Sequence, residues 1–319
     1  MNDHWLRKRQ ILALLSHVAF VSGEAIAQQL SITRAAINQH IDALKDYGVE
    51  IYSVKGKGYK LATPISLINE NSLVNTIDDR CFYFDEITST NEFMLGHAAE
   101  LASGDICIAE YQSAGRGRRG RQWLSPYGHH IYASLFWRLN HDLSYASGLS
   151  LVVGCSIVKT LQNLGVEGLG LKWPNDIYLD HKKLAGILIE LNHHSVEQVE
   201  LVIGFGINMS MSAQQGELID QPWNDLSSMT TMPDKTQLLV NLHQQLKHDL
   251  ALFEQQGLSA FLARWNENDL FINREITLLM SPNSISGICR GIDKQGAILI
   301  ENEQGISAYV GGEISVRAS

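Results

Sequence analysis

Residues 110–123 of this 319-residue chain are EYQSAGRGRRGRQW. They follow an apolar run, Ile106–Glu110, that predicts a β-strand, and Gly115–Gly120 matches the GxGxxG pattern of dinucleotide-binding folds. In those folds the pattern opens a helix, and an acidic residue ends the next strand. Here residues 121–128 open no helix, and the next predicted strand, Ile131–Trp137, has no acidic end. The stretch therefore indicates a glycine-rich mobile loop rather than a Rossmann site.

The chemistry of this loop suits anions. Its seven residues from Gly115 to Arg121 are three glycines and four arginines, and guanidinium groups and backbone amides bind phosphate and carboxylate. A solvated surface loop and an RNA-binding basic patch are the alternatives. The loop directly follows a strand in an otherwise acidic part of the chain, which argues against a general basic patch.

A second motif is KWPND at residues 172–176, followed by KLAGIL at residues 183–188. Lys172 and Lys183 flank a predicted turn between two strands, with Pro-Asn-Asp at its tip. A hairpin explains the turn residues but not Lys183, which enters an apolar strand. A lysine there is costly to bury unless an anion meets it, so we expect Lys183 to face a bound anion.

Two shorter motifs complete the set. The sequence STNE at residues 89–92 fits a capping box, so a purely structural cap is as good an explanation as ligand binding. The sequence GFGIN at residues 204–208 predicts a strand whose glycines let a ligand contact the backbone.

The N-terminal region predicts a winged helix-turn-helix. Helices are predicted at Leu6–His17, Gly23–Leu30 and Arg34–Leu44, followed by two short strands around the tip Lys55–Gly58. The predicted DNA-contacting residues are Arg34, Ala35, Asn38, Gln39 and His40 on the third helix and Lys55 and Lys57 on the wing. A helical domain that binds only protein is the alternative. One such unit makes few phosphate contacts, so we expect a dimer on a two-fold site.

The rest of the chain predicts an α/β (α+β) body and a β-rich end. Ala62–Asn71 is the predicted linker. Predicted strands are 80–84, 106–110, 131–137, 170–173, 184–191 and 198–207, and predicted helices are 91–101, 144–164 and 235–256. Five short strands, 275–280, 284–291, 297–301, 306–310 and 313–317, predict a small β-barrel.

Composition limits the cellular setting and the partners. Residues 1–63 carry eight Lys or Arg against five acids, net +3, which leaves −12 on the remainder of a chain of net charge −9. A polyanion would therefore meet the N-terminal region. The four cysteines form no CxxC pair and lie in apolar surroundings, which predicts free thiols in a reducing compartment. No uninterrupted apolar run approaches the roughly 18 residues of a membrane helix. These features predict a cytoplasmic protein without a membrane partner.

The four motifs occur in the order STN, EYQSAGRGRRGRQW, KWPND…KKLAGILIE and GFGIN. In this order and spacing they resemble the motifs of biotin–protein ligases. With the winged helix-turn-helix, the chain is similar to the bifunctional form that also represses the biotin operon. The resemblance implies a DNA-binding domain at 1–63, a mixed-sheet catalytic domain of the class II synthetase/biotin ligase type at 64–270, and an SH3-like barrel at 271–319.

The resemblance also implies a chemistry. Biotin and ATP form biotinyl-adenylate, and a lysine of a biotin carboxyl carrier protein then accepts the biotin. Mg²⁺ accompanies ATP, with Asn175 and Asp176 as candidate ligands. The adenylate-bound homodimer binds operator DNA. The implied biotin-binding residues are Ser89, Thr90, Asn91, Gln112, Arg116, Gly117, Arg118 and Lys183, with Arg116, Arg118 and Lys183 catalytic. The implied ATP and adenylate residues are Gly115, Lys172, Asn175, Asp176, Asn208 and Trp223.

Two other functions remain open from the residues: a ligand-sensing winged-helix regulator without ligase activity, and a lipoate-type ligase. His129-His130 stands where the family often has small or amide residues, at the floor of the biotin pocket or in a dimer contact. Neither this pair nor His193-His194 has HExxH or HxxxH spacing, so no metal cage is predicted.

Overall fold

The computed structural model describes residues 3–194, 197–229, 232–280, 283–311 and 314–318. The first unit contains α1 (Asp3–Leu14), α2 (Gly23–Leu30), α3 (Arg34–Asp46), β1 (Ile51–Val54) and β2 (Gly58–Leu61), with β1 and β2 antiparallel. Ser22 and Thr33 cap α2 and α3, because each side chain accepts a hydrogen bond from a first-turn backbone N–H. Ile37, Ile41 and Leu44 form the buried stripe of α3. The predicted winged helix-turn-helix is confirmed.

The middle unit is built on a mixed sheet. Its elements are α4 (Glu70–Thr76), β3 (Cys81–Phe84), α5 (Thr90–His97), β4 (Ile106–Ala109), β5 (His130–Leu139), α6 (Leu149–Asn163), β6 (Leu169–Lys172), β7 (Asp176–Leu179), β8 (Lys182–His194), β9 (Val199–Asn208), α7 (Ala213–Gly216), α8 (Lys235–Gln256) and α9 (Leu262–Asn268). The strand order is β3-β4-β5-β9-β8-β7-β6, and of the pairs only β3 and β4 run parallel. The mixed α/β architecture agrees with the prediction.

The two faces of this sheet carry different helices. Leu135 on one face belongs to a large apolar core that includes residues of α6 and α8. Its neighbour Phe136 points to the other face, where it packs with Met94 of α5 and Leu101. This alternation follows from the two-residue period of a strand. Residues 143–163 are long and apolar enough to cross a membrane by length and composition alone, but most of α6 is buried in the protein core.

Three predictions about local structure were wrong. The segment after Pro174 is not a single hairpin turn, since Asp176 starts a separate strand, β7, before β8. The predicted helix 144–164 is interrupted, because Gly148 adopts a positive φ of 82° just before α6. The predicted linker ends in a helix, α4, whose first turn is capped by Asn69.

The last unit is an antiparallel sheet of β10 (Glu275–Met280), β11 (Asn283–Ile292), β12 (Ile298–Asn302), β13 (Gly305–Tyr309) and β14 (Ile314–Ala318). Its order is β13-β12-β11-β10-β14. All five predicted strands are therefore confirmed to within two residues. Among the described residues no strand pairing joins β13 to β14, so hydrogen bonds between these two strands do not close the sheet into the predicted barrel.

Arg9 of the first unit inserts into a buried polar cluster of the middle unit. Its guanidinium lies 3.0 Å from an Asp85 carboxylate oxygen and 3.6 Å from one of Glu110, and it donates to the Ile68 carbonyl at 2.6 Å. On its other side Glu110 meets Lys235, with the ammonium and carboxylate 2.6 Å apart and both side chains almost completely buried. We call these side chains the junction cluster.

Aromatic packing adds to the same contact between units. The ring of Trp5 stacks on Tyr127 with ring centres 4.3 Å apart, and the Tyr127 hydroxyl donates to Asp85 at 2.7 Å. The Tyr127 backbone N–H also donates to the Tyr47 carbonyl at 2.9 Å. The first unit is therefore docked on the middle unit through buried charge, stacking and backbone hydrogen bonds.

Candidate functional site

A cleft of about 170 Å³ lies where the arginine loop faces the ends of β6, β7, β8 and β9. Predicted site residues from three separate motifs converge on it. They are Ser89, Thr90, Asn91, Gln112, Arg116, Gly117, Arg118, Lys172, Asn175, Asp176 and Lys183. Motifs that are far apart in the sequence thus contribute to one site.

One wall of the cleft is a chain of neutral hydrogen-bonding groups. The backbone nitrogen and the hydroxyl of Thr90 lie 2.9 and 3.2 Å from Oε1 of the Gln112 side chain. The Nε2 of the same side chain donates to the Ser125 hydroxyl at 3.2 Å. The buried Ser134 hydroxyl lies 2.7 Å from Thr90 Oγ1. Ser89 caps α5 through its side chain and also lines the cleft. The cap and ligand-facing interpretations of this motif are therefore compatible.

The opposite side of the cleft is cationic. Lys183 Nζ lies 2.8 Å from Asp176 Oδ1, and Arg118 donates to the Asn175 side-chain oxygen at 2.8 Å. The expectation that Lys183 meets only a bound anion was wrong, because β7 brings a carboxylate of the protein to it. Burial lowers the pKa of Arg118, and Arg119 lowers it further. An anion entering the cleft would stabilise this charge.

Glycines of β9 line the cleft and also make room for side chains. A Cβ on Gly204 would collide with the Asn91 side chain, and one on Gly206 would lie 2.5 Å from the indole of Trp123. Trp123 also lies next to Gly186 and beneath Lys183, whose ammonium is 5.7 Å from a ring centre. Asn91 and Trp123 thus pack against these glycines and shape the cleft, and the expected ligand contact with the strand backbone stays a prediction.

Three predicted nucleotide residues lie outside the cleft lining. Gly115 is buried at the start of the loop. The Asn208 amide donates to the Asn224 carbonyl at 3.1 Å. Trp223 packs on Gly216 and pairs through its backbone with Lys183. Asn208 and Trp223 thus connect the segment after β9 to β8, the strand that carries Lys183. Their contact with a nucleotide stays a prediction.

Other lining residues escaped the sequence argument. Trp123 and Gly186 of β8 stood inside recognised motifs, but their proximity to the arginine loop was the missing information. Arg317 and Val316 of β14 also reach the cleft. Nothing in the local sequence of β14 signals this, because the contact depends on how the last unit packs against Lys172 and its neighbours.

The two histidines His129 and His130 lie beside the cleft without lining it. Both are completely buried, with His129 Nδ1 3.0 Å from the Ser210 carbonyl and His130 Nδ1 accepting from the Met209 backbone at 3.2 Å. Burial lowers the pKa of His129 to about 4. The pair therefore does not line the floor of the cleft, and it does not form an exposed contact surface. Within the described ranges no cluster of three or more His, Cys, Asp or Glu side chains forms a metal site.

The candidate DNA surface lies on the first unit. Arg34, Ala35, Asn38 and Gln39 are exposed on α3, His40 is partly buried, and Lys55 and Lys57 are exposed at the wing tip. The Tyr59 hydroxyl of the wing donates to the Asn38 side chain, which fixes the orientation of that amide. Helix face and wing are therefore joined by a direct contact.

Comparison with family models divides the chain in the same order. A model described as HTH domain matches residues 7–60, one described as Biotin/lipoate A/B protein ligase family matches residues 81–208, and one described as Biotin protein ligase C terminal domain matches residues 271–317.

Individual proteins match over longer ranges. The bifunctional ligase/repressor BirA of Escherichia coli is 45% identical over 97% of both chains, and the protein of the same name from Bacillus spizizenii is 27% identical over 97% of this chain and 98% of its own. Among solved structures, the biotin protein ligase of Aquifex aeolicus in complex with biotin and ATP has a TM-score of 0.66 and 29% identity, covering 75% of this chain and 99% of that one.

Proposed function

Because the chain belongs to the family of bifunctional biotin ligase/repressors, we propose that it joins biotin to a carrier protein in two steps and represses transcription as a DNA-bound dimer. In the first step a biotin carboxylate oxygen attacks the α-phosphorus of ATP and pyrophosphate leaves. In the second, the ε-amine of a carrier lysine attacks the acyl carbon, loses a proton, and displaces AMP. The protein acts in the cytoplasm, where its four free thiols stay reduced.

The observation that carries the ligase assignment is the convergence of cations from three separate segments. Arg118 of the loop, Lys172 of β6 and Lys183 of β8 line one cleft beside a neutral hydrogen-bonding wall. The wall formed by Thr90 and Gln112 suits the neutral ureido ring of biotin, while the cations suit its carboxylate and the phosphates. Fixed cations where negative charge develops lower the barrier of such a transfer.

Asn175 and Asp176 do not form a Mg²⁺ site in this arrangement. The Asp176 carboxylate is paired with Lys183, and the Asn175 oxygen accepts from Arg118, so both oxygens already face cations. We therefore assign no step to a metal held by these residues. We expect any Mg²⁺ requirement to come from the nucleotide rather than from Asn175 and Asp176.

The repressor assignment rests on the exposed polar face of α3 and the cationic wing. The partners are biotin operator DNA and the biotin carboxyl carrier protein, and biotinyl-adenylate favours the homodimer. The chain divides into DNA-binding, catalytic and C-terminal domains at residues 1–63, 64–270 and 271–319. Two α3 helices on one dimer would match two half-sites of opposite orientation.

Isotope exchange tests the ligase assignment directly. The purified protein is incubated with ATP and labelled pyrophosphate, with biotin, lipoate or no acid. Label should enter ATP only with biotin. Exchange with lipoate alone would establish a lipoate-type ligase, and no exchange would leave a ligand-sensing regulator. Sedimentation with a non-hydrolysable biotinyl-adenylate analogue tests the dimer, and an unchanged monomer–dimer constant would contradict the adenylate-linked switch.

A further inference from the structure

Glu190 of β8 connects the arginine loop to the neutral wall of the cleft. Its Oε2 accepts a hydrogen bond from Asn91 Nδ2 at 2.7 Å and lies 2.9 Å from the Arg116 guanidinium, to which it is also ion-paired. Residues 186, 188 and 190 share one face of β8 by the two-residue period. The carboxylate therefore lies along the strand just beyond Leu188, which lines the cleft.

The Asn91 end of this connection is rigid. Asn91 is 5% exposed. Its side-chain nitrogen also contacts the Leu188 carbonyl at 3.3 Å, and its side-chain oxygen lies 2.5 Å from the buried Ser134 hydroxyl. Gly204 leaves the space that Asn91 fills. Because both ends of this amide are bonded, it holds one Glu190 oxygen in a defined place.

The Arg116 end is more exposed. The Arg116 backbone pairs with Gln122 across the loop, and the Gly117 N–H donates to the Arg121 carbonyl, but the Arg116 side chain is 43% exposed. A guanidinium has five N–H donors, so binding Glu190 through one nitrogen leaves others for a substrate anion. The carboxylate thus orients Arg116 without consuming its capacity to bind.

We propose that Glu190 is a positioning residue that anchors Arg116, and with it the arginine loop, against the wall of the cleft. This rests on the proposed ligase function. The anchor reduces the conformational freedom that the loop loses when biotin binds. It contributes equally to the ground state and the transition state, so its loss should raise KM and leave kcat unchanged.

The test compares Glu190→Gln with Glu200→Gln by biotin-dependent pyrophosphate exchange. The E190Q amide would keep an oxygen for Asn91 but lose the charge facing Arg116. Glu200 pairs with Arg138 at 2.9 Å on the neighbouring strand, outside the cleft, and is the matched control. For this partly exposed pair, we expect E190Q to raise the biotin KM by about two- to fivefold, with kcat unchanged and E200Q like wild type.

A double-mutant cycle shows whether Glu190 acts through Arg116. In an Arg116→Met background, E190Q should have no further effect on the biotin KM. An equal effect in both backgrounds, an unchanged KM, or a lower KM from relief of competition would overturn the proposal. Glu190→Asp, which keeps the charge but shortens the side chain, should also raise KM and serves if E190Q does not fold. An inactive wild-type protein would instead refute the ligase function.

Discussion

Replacing Lys235 by methionine should be among the most destabilising single changes in the middle unit. Lys235 and Glu110 have side chains 1% and 0% exposed, with the charged groups 2.6 Å apart. Burial lowers the pKa of Lys235, and Glu110 partly offsets this. Removing one partner of a buried pair costs about 3–5 kcal/mol, because the other charge is left without compensation. Arg9, 3.6 Å from Glu110, compensates in part, so we expect the lower end, about 3 kcal/mol.

Urea unfolding monitored by circular dichroism measures this loss. Lys247→Met is the matched control, since Lys247 lies on the same helix, pairs with Asp79 and is 37% exposed; it should cost less than about 1 kcal/mol. Lys235→Met combined with Glu110→Gln should recover part of the loss, because the amide oxygen introduced by E110Q can still accept from the Ile68 N–H, which now donates to Glu110 at 2.6 Å. A loss below about 1 kcal/mol for K235M, or a double variant as unstable as the sum of the single ones, would refute this reasoning.

Three further results are expected. Burial lowers the pKa of His129 to about 4, so below about pH 6.5 the unfolded chain binds a proton that the folded chain does not. The free energy of unfolding should therefore fall by up to about 1.4 kcal/mol per pH unit toward pH 4. In acid unfolding, His129→Asn should show a smaller dependence of stability on pH, and an identical dependence would contradict this. Lys183→Ala should lower the rate of pyrophosphate exchange by about 10²–10³-fold. Because Lys183 also pairs with Asp176, the change should leave that carboxylate unpaired and reduce the melting temperature slightly. Near-normal exchange would remove Lys183 from the mechanism. Replacing Lys55 and Lys57 by alanine removes four wing lysines from the DNA-bound dimer, so it should reduce the slope of log affinity for DNA against log salt by about 4. Fluorescence anisotropy at several salt concentrations measures the slope, and an unchanged slope would exclude the wing from phosphate contact.

The sequence predicted the elements better than their contacts. Local patterns were sufficient for α8, for the strands of the last unit and for the winged helix-turn-helix, because apolar period, caps and glycine turns are encoded within a few residues. The motifs also identified the cleft, since residues as separate as Ser89 and Lys183 meet there.

Pairings that arise only in three dimensions were missed. Asp176 meets Lys183 because β7 forms beside β8, and the turn residues before it did not reveal an additional strand. The Glu190–Arg116 pair joins residues 74 positions apart. Likewise, Gly206 was correctly singled out, but the space above it holds Trp123, which a pattern of glycines cannot specify.

The junction cluster bears on how freely the DNA-reading part could be exchanged. Arg9 comes from one unit and Asp85 and Glu110 from the other, so neither surface is complete alone. A chimera whose first unit comes from another protein and has an apolar side chain at position 9 would leave the buried carboxylates facing hydrocarbon. A first unit taken from another protein would need compensating changes at positions 85 and 110. The two units are therefore expected to be inherited together, unlike domains joined only by a flexible linker, which can be exchanged independently.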